Sequence, residues 1–212
     1  MIRAAVAIAA VTAILGAAAV MADTLTAPED QPVAVLGDSI TAIGERQLIE
    51  TAGSKFQLEV RATFGARGGE QLAAASELAA KKPEQVVINL GTNDVLKGVS
   101  PEETIASLEQ MAAMFTSAKC IHFVTVNTRL QQADHRPRAE AIAMNERILD
   151  LAKRTGKGDV IRWDHLVDEA TNPQQPLGLT DDGVHPTPLG QRELADAMVD
   201  ALERCGRPWH IW

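Results

Sequence analysis

From residue 32 onward, short apolar segments alternate with stretches whose apolar residues recur every three or four positions. The segments at 33–36, 57–62, 85–90, 121–126 and 159–163 are too short for helices and rich in Val and Ile, so they predict five strands. Between and after them the periodicity predicts helices over 40–51, 69–81, from 101, 137–154 and from 188. Gly53 closes the first helix, and Gly156 and Gly158 stop the fourth. The third has a strong start, with Ser100 as cap, Pro101 in the first position and Glu103 completing a capping box. Its core stripe is Ile105, Leu108, Met111 and Phe115. For the fourth helix the expected buried side is Ile142, Ile148, Leu149 and Ala152. In the last, Thr187 caps, Pro188 opens, and Leu194, Met198 and Leu202 form the stripe. Polar loops are expected at 127–136 and 168–186.

Strands alternating with helices predict an α/β protein with a parallel sheet covered on both faces. Right-handed crossovers narrow the choices to few. The expectation is a three-layer α/β/α, flavodoxin-like open sheet of five parallel strands in the order 2-1-3-4-5. Residues 32–212 read as one domain without internal repeats.

The first 22 residues follow a different pattern. Arg3 precedes an uncharged, Ala-rich run, and Val20-Met21-Ala22 resembles a small-residue cleavage site before Asp23. Residues 1–22 therefore read as a secretory signal peptide, with an uncleaved anchor as the competing reading, and residues 23–31 as a flexible lead-in. The expected location is outside the cell, or in the periplasm or cell envelope, with no stable membrane insertion once the signal is cut. An exported chain with two cysteines, Cys120 and Cys205, permits one disulfide or two free thiols. The net charge of −8, with Lys and Arg spread along the chain, argues against a nucleic-acid partner. Four Phe, three Trp and no Tyr argue against an extended stacking platform.

In an open parallel sheet the site lies beyond the carboxyl ends of the strands. Ser39, Gly65 and Asn93 each follow a predicted strand end by three residues, and the order 2-1-3 makes those strands neighbours. Ser39 offers a nucleophilic hydroxyl, although Ser at that point also suits a helix cap. Gly65 offers an unshielded backbone N–H, although a loop glycine also suits a turn. Asn93 offers an amide donor, although it also suits an Asx-turn. A hydroxyl flanked by two donors suits acyl transfer through a tetrahedral oxyanion. Among five histidines, His122 lies within a strand, His135 in a charged loop and His210 near the end, while His165 follows Asp164 as a rival base. His185 is preferred, because Asp182 three residues earlier can turn back onto its imidazole.

These residues resemble the blocks of the SGNH hydrolases, the GDSL-type esterase and lipase superfamily. Gly37-Asp38-Ser39 resembles the first block, Gly91-Thr92-Asn93-Asp94 the third and Asp182-Gly183-Val184-His185 the fifth. The second block falls on Phe64-Gly65-Ala66-Arg67, with Gly68 as the alternative glycine. The pattern is unlike the Gly-x-Ser-x-Gly elbow of α/β-hydrolases, since position 41 is Thr. Leu90-Gly91-Thr92-Asn93, Val126-Asn127-Thr128 and the run from Asp182 to Pro188 are similar to SGNH domains acting on O-acyl groups of bacterial cell-envelope glycans. The resemblance implies a catalytic triad of Ser39, His185 and Asp182. It implies an oxyanion hole from Ser39, Gly65 and Asn93. Neither metal nor cofactor is expected, and the substrate is a small-molecule or glycan acyl ester. Arg67 is a candidate substrate contact, and the loops at 127–136 and 168–181 are expected to line the cleft. An ester hydrolase is the first reading. An O-acyltransferase using the same site and a non-catalytic carbohydrate-binding module are the alternatives.

Overall fold

The computed structural model describes residues 31–206. The expected signal peptide lies outside the described residues, as does the lead-in except for Gln31, which opens the first strand. The strands are β1 (Gln31–Gly37), β2 (Phe56–Ala62), β3 (Gln85–Asn89), β4 (Cys120–Val124) and β5 (Gly158–Ile161). The helices are α1 (Ser39–Ala52), α2 (Leu72–Ala80), α3 (Thr92–Leu96), α4 (Pro101–Met114), α5 (Arg138–Thr155), α6 (Trp163–Glu169) and α7 (Pro188–Arg204). All strand pairs are parallel and the order is β2-β1-β3-β4-β5, as expected.

Alternation along the strands makes two cores. Ala34 and Leu36 of β1 join Val86, Ile88, Ile121 and Phe123 under α2, α4 and α5. Val33 and Val35 face the other way, with Val87, Val124 and Ile161, under α1, α6 and α7. β1 and β3 are buried on both faces, which is why they read as unbroken apolar runs. Ser100 caps α4 by accepting from Glu103 N, and Thr187 caps α7 by accepting from Gly190 N. The stripes expected on those helices are buried.

Four details differ from the expectation. Trp163 begins α6 instead of ending β5: Asp164 accepts from Thr125 Oγ1 at 2.7 Å and its N–H donates back at 3.1 Å, turning the chain at once. The helix expected over 69–81 starts as a 3-10 turn, Gly68–Gln71, before α2. The additional short helix α3 is preceded by Gly91 in the cap position, whose φ of 117° only glycine adopts readily. On α5 the buried stripe is Ala141, Met144, Asn145, Ile148, Leu151 and Ala152, so Ile142 is exposed. Asn145 occupies the stripe because its amide holds both polar groups of the Val126 backbone, each at 2.7 Å.

Cys120 and Cys205 form a disulfide with their Cα atoms 5.9 Å apart. It joins the first residue of β4 to the residue after α7.

Candidate active site

The nucleophile candidate stands where β1 passes into α1. Gly37 ends the strand, and a Cβ there would lie 2.0 Å from Thr41 Oγ1, so only glycine lets the helix start this close to the sheet. The helix cap is Asp38, whose Oδ1 accepts from Ile40 N at 2.9 Å. Ser39 is thus relieved of the capping task that competed for it. It is the first helical residue, and its N–H has no acceptor within the helix.

The acid and base candidates share one loop ahead of α7. Asp182 Oδ1 accepts from Val184 N at 2.9 Å and His185 N at 2.7 Å, while Oδ2 lies 2.7 Å from His185 Nδ1. Burial raises the Asp182 carboxyl, but these hydrogen bonds outweigh it and hold the group below its ordinary range. An ionised carboxylate only accepts, so Nδ1 carries the ring proton and Nε2 is the acceptor. Nε2 faces Ser39 Oγ at 3.0 Å. The loop is braced from the 127–136 segment. Asn127 Nδ2 donates to Gly183 O at 3.1 Å, and a Cβ on Gly183 would lie 2.6 Å from Gln131 Cβ.

Gly65 occupies a tight turn closed by Ala66 N donating to Thr63 O at 3.1 Å. Its φ of 72° is the reason for glycine, since a Cβ would meet nothing within 4 Å. Gly65 lines the cleft with Ser39, Asn93 and His185. Gly68, the alternative, donates its N–H to Asp94 Oδ2 at 2.9 Å and is not among the cleft residues. Asn93 Nδ2 donates to Asp38 Oδ2 at 2.9 Å. Burial pushes the Asp38 carboxyl up to about 6, opposed in part by the hydrogen bonds from Ile40 and Asn93 and by His185. Asp94 is also raised by burial, and its oxygens accept from Gly68 N and Thr104 Oγ1.

The cleft is about 430 Å³ and is completed by Phe64, Leu96, Gln131, Gln132, Ala133, Asp182 and Val184. Two features expected at its walls lie outside the lining. Arg67 is not among the lining residues: its guanidinium is paired with Glu70 one turn on, at 2.9 and 3.2 Å. Of the two expected loops only 127–136 lines the cleft, since the 168–181 segment packs over α6 and α7, with Gly178 against Val167 O and Leu179 against Gly190. The rival histidines are elsewhere. His165 contacts Arg162, and buried His122 lies between Gln85 and Asp159. Asp38, Asn127 and Phe64 are the residues that sequence reasoning missed. All three sat inside quoted motifs, but nothing in spacing reveals which buried carboxylate or amide braces which loop, or which aromatic side chain walls the cleft. Among the described residues no group of three or more His, Cys, Asp or Glu is placed to hold a metal ion.

Comparison with known proteins bears on the family to which the chain belongs. A relative in Bacillus subtilis (strain 168), named "Putative peptidoglycan O-acetyltransferase YrhL", is 29% identical over 170 residues. The alignment covers 77% of this chain but only 24% of that protein, so the chain spans about a quarter of its relative's length. Among solved structures, an acetylxylan esterase from Geobacillus stearothermophilus superposes with a TM-score of 0.68 at 20% identity, covering 87% of this chain and 98% of the other. A GDSL-like lipase from Bacteroides thetaiotaomicron superposes with a TM-score of 0.68 at 25% identity, covering 82% and 88%. Residues 35–193 match the model of the GDSL-like Lipase/Acylhydrolase family, and they include every group gathered at the cleft. The chain therefore belongs to the GDSL-like lipase/acylhydrolase family of ester-cleaving enzymes.

Proposed function

We propose that the protein is an exported serine esterase that removes small O-acyl groups, acetyl above all, from a glycan. The reading is carried by one observation: Ser39 Oγ, the His185 ring and the Asp182 carboxylate form a continuous chain at 3.0 and 2.7 Å that opens on the cleft.

In this reaction Ser39 Oγ attacks the ester carbonyl and its proton passes to His185 Nε2. Asp182 keeps the Nδ1 proton in place and stabilises the imidazolium. The N–H groups of Ser39 and Gly65 and the amide of Asn93 receive the oxyanion. The C–O bond to the alcohol then breaks, and the alcohol leaves with the proton from His185. Water repeats the sequence on the acyl-enzyme and releases the acid. A cleft of about 430 Å³ is of small-ligand size, enough for a short acyl group and part of its alcohol.

The test is hydrolysis of p-nitrophenyl esters of rising chain length and of an acetylated oligosaccharide. We expect preference for the shortest acyl groups, and loss of at least about 10³-fold in kcat on Ser39→Ala. Unchanged activity in that variant would refute the mechanism. The Bacillus relative's name favours one second reading, transfer of the acyl group to a sugar hydroxyl in place of water. An added glycan acceptor that takes up acyl groups faster than they are hydrolysed would establish transfer as the main reaction.

Export is supported by the leader pattern at 1–22 and by the Cys120–Cys205 bridge, since disulfides persist in oxidising compartments. Intact mass spectrometry of protein secreted by a bacterial host is expected to show a chain starting near Asp23 and lighter by two hydrogens. A full-length, reduced chain would overturn this.

A further inference from the structure

We propose that Asp38 is a positioning residue that fixes which edge of the Asn93 amide is presented to the oxyanion. The inference rests on the acyl-enzyme reading above and concerns the same site.

Capping α1 requires a single acceptor atom, which Ser, Thr or Asn supplies as well as Asp. Asp38 brings a second oxygen and a charge, and it is 1% exposed. The second oxygen is spent on Asn93 Nδ2 at 2.9 Å, across from β1 to α3. An ionised carboxylate can only accept, so it holds the nitrogen of that amide and repels its carbonyl. The second N–H on the same nitrogen is left for the cleft, which Asn93 lines. Turned over, the amide would present Oδ1, an acceptor that repels an oxyanion. A neutral Ser or Asn in place of Asp38 would cap α1 without enforcing this choice.

The constraint depends on charge. Protonated Asp38 gains a donor and can hold the Asn93 carbonyl as readily as its nitrogen. The charged groups that act on Asp38 are Asp94 on α3 and His185 in the loop before α7, one raising and one lowering its proton affinity. With the carboxyl at about 6, the orientation of Asn93 is secure at neutral pH and is released in mild acid.

The experiment is a double-mutant cycle on p-nitrophenyl acetate, using wild type, Asp38→Asn, Asn93→Ala and the double variant, with Ser39→Ala as the blank. In Asp38→Asn the new side chain still accepts from Ile40 N, but its NH2 faces Asn93 and draws the carbonyl toward it. Expected are a fall in kcat of about 10–100-fold for Asp38→Asn with KM within about 3-fold, and a further loss of under about 3-fold when Asn93 is already Ala. The acid limb of the wild-type kcat profile should become shallower in Asn93→Ala, where Asp38 has no amide to hold. Asp38→Ser, which caps without charge, supplies the same comparison if Asp38→Asn is insoluble. Equal losses in both backgrounds, or a change confined to KM, overturn the proposal. If the cycle is additive while Ser39→Ala is inactive, only the role of Asp38 falls. If Ser39→Ala turns over like wild type, the acyl-enzyme reading falls and the proposal with it.

Discussion

Asp38 is held in the folded protein at a cost in stability. Its carboxyl binds a proton more tightly when folded, at about 6 against an ordinary value of 3.8. The raised value makes its contribution fully favourable below the unfolded pKa and lost as pH rises through the folded one. The window is therefore about pH 4 to 6, and the loss at pH 8 is roughly 3 kcal/mol. Urea unfolding of wild type and Asp38→Asn at pH 4, 6 and 8 should show the difference shifting by up to about that amount in favour of the variant. A difference that stays constant across the three values would mean that Asp38 titrates alike in both states. A variant more stable at neutral pH yet slower would be a stability–activity trade at one side chain. At this scale the sequence was legible where local spacing sets a contact, as with Asp182 and His185. Arg67 was not legible in this way, because a guanidinium with Glu70 three residues on finds a partner there.

At the scale of elements, the glycines beside the candidate nucleophile and base do different work. Gly37 makes room for Thr41, whereas Gly183 both adopts a φ of 84° and lies against Gln131. Gly183→Ala therefore strains the backbone and pushes on the 127–136 segment. We expect a stability loss of roughly 1–3 kcal/mol and a fall in kcat of about 10-fold or more, as the Asp182–His185 pair shifts relative to Ser39. Gln131→Gly in the same background should restore part of both, measured by thermal melts and ester hydrolysis. No recovery would place the damage in the backbone conformation alone. Helix ends carried by capping residues, as in α4 and α7, were readable in advance. The start of α6 was not, because Trp163 is as apolar as a strand residue and the turn depends on Thr125, 38 positions earlier in the chain. On α5 the polar Asn145 interrupts the apolar pattern: Ile148 and Ala152 are buried as inferred, but Ile142 and Leu149 give way to Ala141, Met144, Asn145 and Leu151.

At the scale of the whole molecule, the sheet separates maintenance from chemistry. The strand order was legible because alternating strands and helices leave few handed solutions. The bridge between Cys120 and Cys205 was not, since two cysteines 85 positions apart meet only once β4 and α7 are packed. That bridge sits at the amino end of β4, while Ser39, Gly65 and Asn93 follow the carboxyl ends of β1, β2 and β3. The candidate acid and base share four residues of one loop, and the candidate nucleophile stands apart on the strand–helix turn. Asp182 grips both the backbone N–H and the ring of His185, so any displacement of the loop would carry imidazole and carboxylate together, and the Ser39–His185 distance is the spacing that would record it.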